Sequence, residues 1–191
     1  VIAKEHSADP LDCAIFFMDM RTHGKDFERA YDDAREQHGV RFITSLELDR
    51  RLIQADSSLY ALSTAVFIQC VGSREPGRPY CSRVCCTHSV KNAIQLKAEN
   101  PNRHVYVFYR DIRTYGFRED FYSKARETGV LFIHYEPENK PVVTQGNGGL
   151  SITVTDPLLG KQVTLKPELL VLSPAIVSRE NEELSRLLKL P

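Results

Sequence analysis

The chain of 191 residues lacks the features that would assign it to several common functional classes. Its 25 Lys and Arg balance 25 Asp and Glu, and no dense basic run occurs, so the charge pattern of a nucleic-acid-binding protein is missing. No apolar stretch reaches the roughly 18 residues of a membrane span, and no signal peptide opens the chain. We therefore expect a cytoplasmic protein without a nucleic-acid partner and without a direct membrane span.

Common catalytic and nucleotide-binding motifs are missing as well. The sequence has no Ser–His–Asp arrangement, no H-E-x-x-H motif and no Walker loop, so nothing predicts hydrolysis or phosphoryl transfer. It also has no G-x-G-x-x-G, the motif that lets backbone N–H groups approach a pyrophosphate in dinucleotide-binding domains. What is present, 42% hydrophobic and 26% charged residues, is the composition of a chain with a real core.

Cysteine is scarce but concentrated. Four of the five cysteines lie within or shortly after the apolar run TAVFIQCVG, with the spacing C-x10-C-x3-C-C. They are Cys70, Cys81, Cys85 and Cys86. In a cytoplasmic protein thiols stay reduced, so a cluster of them indicates metal or redox chemistry before disulfides. The fifth, Cys13, lies within the apolar run CAIFFM and is interpreted as a buried strand residue.

The order of the apolar runs predicts an α/β fold. From residue 64 the pattern gives strand, helix, strand, helix and strand, then an alternating meander over 141–167 and a last buried strand over 169–175. Alternation of strands and helices implies a parallel sheet with right-handed crossovers. We expect a three-layer, mononucleotide-type (Rossmann-like) parallel sheet with a β-meander. The cysteine loop then lies where the glycine motif of a nucleotide site would lie.

An internal repeat divides the chain. Residues 1–43 hold a partial copy of the strand–helix–strand unit, because DMRTHG and AREQHGVRFI match the later DIRTYG and ARETGVLFI. We interpret 44–63 as a connector and 64–175 as the Rossmann-like lobe, with a cysteine loop at 70–86. Residues 176–191 are a return segment out of the lobe. We expect the chain to be a fragment of a longer protein.

Four thiolates suit either zinc or an iron–sulfur cluster. Structural zinc usually takes two C-x(2–4)-C pairs, and the spacing offers only Cys81 and Cys85 as one. Cys85 and Cys86 are adjacent and cannot easily both face one small ion, whereas a cubane spreads four irons over a wider body. Its negative charge would be offset by a helix N-terminus and by the arginines of the loop, Arg74, Arg78 and Arg83. The spacing favours iron–sulfur and leaves zinc, a redox dithiol or buried metal-free cysteines open.

At the level of whole segments the sequence resembles a known family. The chain closely resembles the A subunit of heterodisulfide reductase and its homologues in sulfate reducers and other anaerobes. The segments that carry the resemblance are VFIQCVGSRE, YCSRVCCTHSVKNAI and VYVFYRDIRTYGFREDFYSKARETGVLFIHY. The resemblance covers residues 64–190, and residues 1–43 resemble one segment of that family a second time. The family's protein looks like an iron–sulfur flavoprotein of thioredoxin-reductase type. The resemblance implies that the lobe corresponds to its NAD(P)-binding lobe and carries a [4Fe–4S] cluster on Cys70, Cys81, Cys85 and Cys86.

The resemblance also implies a function in electron transfer, as part of an oxidoreductase subunit. The cluster is expected to relay electrons between FAD and partner iron–sulfur subunits, or hydrogenase or dehydrogenase partners. The family's FAD-binding glycine motif is absent, so FAD is expected outside this fragment, with 176–191 leading toward a flavin lobe. The fragment alone is expected to be inactive. Two alternatives are a pyridine-nucleotide-binding lobe of a disulfide oxidoreductase-like flavoprotein, and a docking module stapled by a structural metal.

Two further positions allow more than one interpretation. His88, two residues past the cysteine pair, is either a hydrogen-bond donor beside the cluster or a solvated or helix-capping histidine. Asp111, Arg113 and Thr114 follow the second strand of the lobe and form either a structural turn with an Arg–Asp pair or part of a domain interface.

Overall fold

The structure is a computed structural model, and it describes residues 42–76, 78–146, 149–176 and 182–189. The first copy of the predicted repeat, including Cys13, lies outside the described residues except for its last two positions.

A parallel sheet forms the middle layer of the fold. Its strands are β1 (Phe42–Thr44), β2 (Thr64–Val71), β3 (His104–Tyr109), β4 (Leu131–His134) and β8 (Leu169–Pro174). Three strands of a separate meander lie between β4 and β8 in the chain: β5 (Val142–Gly146), β6 (Gly149–Asp156) and β7 (Lys161–Leu165). The strands of the sheet lie in the order β1–β8–β2–β3–β4, and every neighbouring pair is parallel. These strands are continuous apolar runs because both faces of the sheet are covered.

Helices cover one face of this sheet. They are α1 (Ser45–Ile53), α2 (Cys85–Glu99) and α3 (Glu119–Glu127), and a short α4 (Glu182–Leu188) ends the described chain. Helix α1 lies in the segment interpreted as a connector. The Thr44 side chain caps its start by accepting from the backbone N–H of Glu47 at 3.2 Å, and Leu48 and Leu52 are buried against the sheet. None of the described helices is long and apolar enough to cross a membrane.

The antiparallel meander β5–β6–β7 covers the opposite face. Residues of β6 such as Leu150, Ile152 and Val154 point toward Val66 and Ile68 of β2 and form one continuous apolar core with them. Alternation along β6 places every second side chain in this core, as expected for a strand with one exposed face. The predicted three-layer arrangement of helices, parallel sheet and meander is therefore confirmed.

The strand order also fixes where a site can form. Read from the edge, β4–β3–β2–β8 corresponds to the order 3-2-1-4 of a mononucleotide-binding unit. The direction of winding reverses between β2 and β8. In open α/β sheets, ligands bind at the carboxyl edge beside such a switch point. The cysteine loop leaves β2 at this place.

A buried arginine, Arg103, joins the segments at the edge of the sheet that lies opposite the cysteine loop. Arg103 is 1% exposed, and its guanidinium donates to three backbone carbonyls. Nε donates to Leu62 O at 2.9 Å, Nη1 to Leu96 O at 3.0 Å, and Nη2 to Leu59 O. Arg103 Nη1 also lies 3.6 Å from Glu99 Oε2, so the guanidinium is paired with a carboxylate. Arg103 thus adds a second donor to the carbonyls of Leu59 and Leu96, which also accept from the backbone N–H groups of Leu62 and Asn100, and supplies a donor to the carbonyl of Leu62.

Candidate metal centre

A β-bulge begins the site. Ile68 pairs with Leu172 and Val71 with Pro174, so two residues of β2, Gln69 and Cys70, lie opposite the single Ser173 of β8. Cys70 has φ of 60°, in the left-handed region that non-glycine residues avoid. Because a bulge redirects the side chains around it, Cys70 leaves the regular alternation of the strand at the position where the loop begins.

The loop that follows contains more unusual backbone. Arg74 and Arg83 have φ of 59° and 64°, so with Cys70 three non-glycine residues between the end of β2 and the start of α2 are left-handed. Such residues cost on the order of 1–3 kcal/mol each and persist only where surrounding contacts hold them. Concentrated strain of this kind is typical of functional loops.

Arg110 supplies the contacts that hold the loop. Its Nη1 donates to Ser73 O at 3.3 Å and pairs with Glu75 Oε1 at 3.0 Å, while Nη2 donates to Arg74 O at 3.2 Å. Lys140, which follows β4, lies 3.3 Å from the same Glu75 carboxylate. The loop is therefore anchored to the ends of β3 and β4.

Helix α2 begins at Cys85 and directs its N-terminus at the loop. Its N-cap, Val84, makes no side-chain cap, and no acidic residue lies in the first turn. The first N–H groups of a helix have no intrahelical partner and carry the positive end of the helix dipole. Cys85 and Cys86 therefore stand where a negatively charged sulfur is stabilised.

The four thiols are neighbours and none is in a disulfide. Burial raises the pKa of Cys70 and Cys85, and raises the pKa of Cys86 to about 11. The charge of Cys81 adds to the increase at all three, and the charge of Cys70 adds to it at Cys85 and Cys86. The structure thus brings the four predicted ligand residues within electrostatic reach of one another.

Polar groups beside the sulfurs act against the effect of burial. The Arg74 guanidinium, the Ser82 hydroxyl and the Arg113 backbone N–H favour the thiolate form of Cys70, Cys85 and Cys86, respectively. The Arg83 backbone N–H donates to the Cys81 sulfur at 3.3 Å. Hydrogen bonds to sulfur are one of the means by which proteins tune iron–sulfur centres.

The arginines around the thiols differ in part from those expected. Arg74 lies beside Cys70 and lowers its pKa, but the Arg78 guanidinium donates to Gly72 O at 3.3 Å and Arg83 acts through its backbone. Arg110 and Arg113, which sequence reasoning did not place at the site, contribute instead. The charge of Arg110 offsets part of the increase that burial causes in the pKa of Cys70, and the hydrogen bond with Asp111, followed by the charge of Cys81, raises the pKa of Arg113. The run YRDIR at the end of a buried strand is the feature of the sequence that could have indicated these two arginines.

The arrangement does not resemble a preformed site for one ion. In the part of the chain that the structure describes, no group of three or more His, Cys, Asp or Glu side chains could hold a metal ion. Cys85 lines a cavity of about 450 Å³ beside the ends of β1 and β8, whereas the Cys86 thiol donates to Asp111 O at 3.6 Å, beyond β3. Adjacent thiols that diverge in this way suit a cluster with separate irons better than one tetrahedral zinc.

His88 joins two helices at the edge of the site. Its Nδ1 lies 3.0 Å from the Ser45 hydroxyl and its Nε2 lies 3.5 Å from the Asp49 carboxylate, so both ring nitrogens face α1. This geometry favours a helix-joining histidine over a donor to the thiols. On the other side, Arg113 pairs with Asp111 at 3.0 Å, which is the Arg–Asp turn expected after β3.

Comparison with known proteins supports the resemblance found in the sequence. The chain is 37% identical over 160 residues to the A subunit of the H(2)/formate:CoB-CoM heterodisulfide,ferredoxin reductase of Methanococcus maripaludis, covering 76% of this chain and 24% of that protein. It is 37% identical over 169 residues to the iron-sulfur A subunit of the CoB–CoM heterodisulfide reductase of Methanocaldococcus jannaschii, covering 78% and 24%. The similarity to the A subunit of heterodisulfide reductase is thereby confirmed. The chain spans about a quarter of the length of these relatives, which are named as subunits of an oxidoreductase.

Other comparisons add little. No protein-family model matches the chain. Among solved structures, L-lysine 6-monooxygenase from Pseudomonas syringae aligns with a TM-score of 0.47 and 10% identity, over 74% of this chain and 41% of that one. The fold class therefore rests on the strand order and layers described above.

Proposed function

From the similarity of this chain to the A subunit of heterodisulfide reductase, we propose that it is the electron-transfer part of an iron–sulfur flavoprotein. Cys70, Cys81, Cys85 and Cys86 would each supply one thiolate to a [4Fe–4S] cluster. Such a cluster carries one electron at a time. We propose that the electrons come from FAD bound by another part of the protein and go to partner iron–sulfur subunits.

The observation that carries this proposal is the convergence of four thiols at the switch point of the sheet. One comes from the bulge that ends β2, one from the strained loop, and two from the start of α2. A polar group lies beside each sulfur and either donates to it or favours its thiolate form. A set made only of thiols is the donor set of iron–sulfur centres.

The surrounding residues have defined tasks in this proposal. The positive end of α2 and the charge of Arg74 offset the negative charge that four thiolates bring. Arg110 holds the loop in its strained conformation through Glu75 and two loop carbonyls. The cavity beside Cys85 is lined by apolar side chains such as Val84 and Ile176. Burial and hydrogen bonding to sulfur would together set the reduction potential.

The proposal is tested by electron paramagnetic resonance of the anaerobically reconstituted chain after reduction with dithionite. We expect the signal of a reduced [4Fe–4S] cluster, with loss of the visible absorption near 400 nm. Cys85→Ala should lose most of the signal. Cys13→Ala removes the cysteine outside the loop and should retain it.

Two other results would redirect the interpretation. A colourless chain with one bound zinc would indicate a structural metal, and tight NAD(P)H binding without visible absorption would indicate a nucleotide-binding lobe. Either result would contradict the electron-transfer proposal.

A further inference from the structure

Gln69 is buried at the switch point with a side chain that has no partner. The residue is 0% exposed, and in the part of the chain that the structure describes neither Oε1 nor Nε2 has a hydrogen-bond partner. Nearly all buried amides in native proteins are paired, because an unpaired one loses its bonds to water without replacement. A buried amide with both ends free, directly before Cys70, therefore points to a group that completes it.

The position of Gln69 along β2 places it on the helix-covered face of the sheet. Side chains alternate along a strand, and Ala65 and Phe67 of β2 pack in the core beneath the helices. Gln69, two residues further on, falls on the same face. It is the first of the two bulged residues that lie opposite Ser173, whose hydroxyl contacts Ser89 of α2 on this face.

The first turn of α2 crosses over this position. On one side, Ser89 of α2 reaches β8 through an Oγ–Oγ contact of 2.9 Å with Ser173. On the other side, the Cys86 thiol reaches Asp111 O, just past the end of β3. Because β2 lies between β8 and β3, its end lies beneath the turn that carries the cysteine pair.

We infer that the Gln69 carboxamide is a hydrogen-bond donor to a sulfur atom of the cluster and helps to set its reduction potential. The inference rests on the function proposed above. Sulfur atoms of a cluster accept hydrogen bonds, and Nε2 of a glutamine is a donor. The reduced cluster carries one more negative charge than the oxidised cluster, so a donor stabilises the reduced form more and raises the potential.

The test compares Gln69→Met with the wild-type chain, both reconstituted anaerobically. Methionine keeps the length of the side chain and removes its donor. We expect unchanged iron and sulfide, and a three- to tenfold lower equilibrium constant for one-electron reduction in an EPR-monitored titration. For a one-electron couple this is a shift of about 30–59 mV to more negative potential. A potential equal to that of the wild type would overturn the inference.

Asn92→Leu is the matched control. Asn92 is also a fully buried amide of the helix layer. Its Nδ2 donates to Ser45 O at 3.2 Å, whereas its Oδ1 has no hydrogen-bond partner among the described residues. Its removal should leave the potential unchanged. In the metal-free chain the two substitutions should change the Tm in opposite directions. Gln69→Met removes an unpaired amide and raises the Tm, whereas Asn92→Leu removes the hydrogen bond to Ser45 O and lowers the Tm.

The remaining outcomes are also decisive. If Gln69→Met loses its iron while its metal-free Tm rises, the residue contacts the cluster, and the inference stands. If iron is lost together with a lower metal-free Tm, Gln69 has only a packing role, and the inference fails. If the wild-type chain itself takes up no iron and sulfide, the proposed function fails first.

Discussion

Arg74 and Asp111 form an ion pair of 2.7 Å that joins the cysteine loop to the loop after β3. The same guanidinium favours the thiolate form of Cys70. Burial works against ionisation of Asp111, but the hydrogen bond from Arg113 and the charge of Arg74 together lower the pKa of this carboxyl. Asp111 therefore stays ionised and keeps Arg74 directed at the thiols.

Removal of the positive charge of Arg74 should make the cluster harder to reduce. In Arg74→Leu the reduced form loses a nearby cation, and we expect the potential to fall by roughly 50–100 mV, as for a charge about 7 Å away at an effective dielectric constant of about 20. The measurement is an EPR-monitored redox titration. Lys161→Met removes the same charge from the meander strand β7 and should shift the potential much less. Equal shifts in the two variants would contradict a specific role for Arg74.

The raised pKa of Cys86 predicts that the metal-free chain loses stability in alkali. The thiol has its ordinary pKa of 9.0 when unfolded and about 11 when folded, so between these values the folded state binds more protons. Stability that is present below pH 9 is then lost as the pH rises toward 11. At about 1.4 kcal/mol per unit the complete loss is roughly 2–3 kcal/mol, of which about 1.7 kcal/mol falls between pH 8.5 and pH 10.5. Urea denaturation at pH 8.5 and pH 10.5 measures it.

Two comparisons isolate the contribution of this thiol. Metal-free Cys86→Ala lacks the titrating group, so its loss of stability over the same pH interval should be smaller by that amount. The cluster-loaded wild-type chain holds Cys86 as a thiolate throughout and should likewise lack this component. An identical pH dependence in metal-free wild type and Cys86→Ala would show that the thiol is not responsible.

Arg103 is expected to dominate the stability of the edge away from the site. Arg103→Met removes a charged donor from the carbonyls of Leu59, Leu62 and Leu96, of which Leu59 and Leu96 keep a backbone N–H donor. We expect a loss of roughly 2–4 kcal/mol in the free energy of unfolding. Arg50→Met, on the exposed face of α1, should change it by less than about 0.5 kcal/mol. Chemical denaturation of both variants decides this. A loss below about 1 kcal/mol for Arg103→Met would contradict the assignment.

Much of the fold was predictable because it follows from strong local patterns. The buried strand before Cys70 and the alternating meander are runs whose period leaves few alternatives. Helix α1 was missed because only Leu48 and Leu52 mark its apolar side, although Thr44 and Glu47 have the spacing of a capping box. Its burial depends on the distant strand β8, which no local pattern reveals.

The place of the candidate site could be predicted from the sequence, but its geometry could not. The spacing of Cys70, Cys81, Cys85 and Cys86 indicated a thiol cluster, and their convergence follows from the parallel sheet. The bulge at Gln69 and the clamp by Arg110 depend on pairing with β8 and on the end of β3. These are contacts between residues that lie far apart in the sequence, so spacing alone could not identify them.

The central claim is that four thiols of this chain bind a redox-active iron–sulfur cluster. The most direct measurement is the content of iron, zinc and acid-labile sulfide per chain after anaerobic purification. The account predicts about four irons and four sulfides per chain and little zinc. One zinc per chain, or neither metal nor sulfide after anaerobic reconstitution, would contradict it.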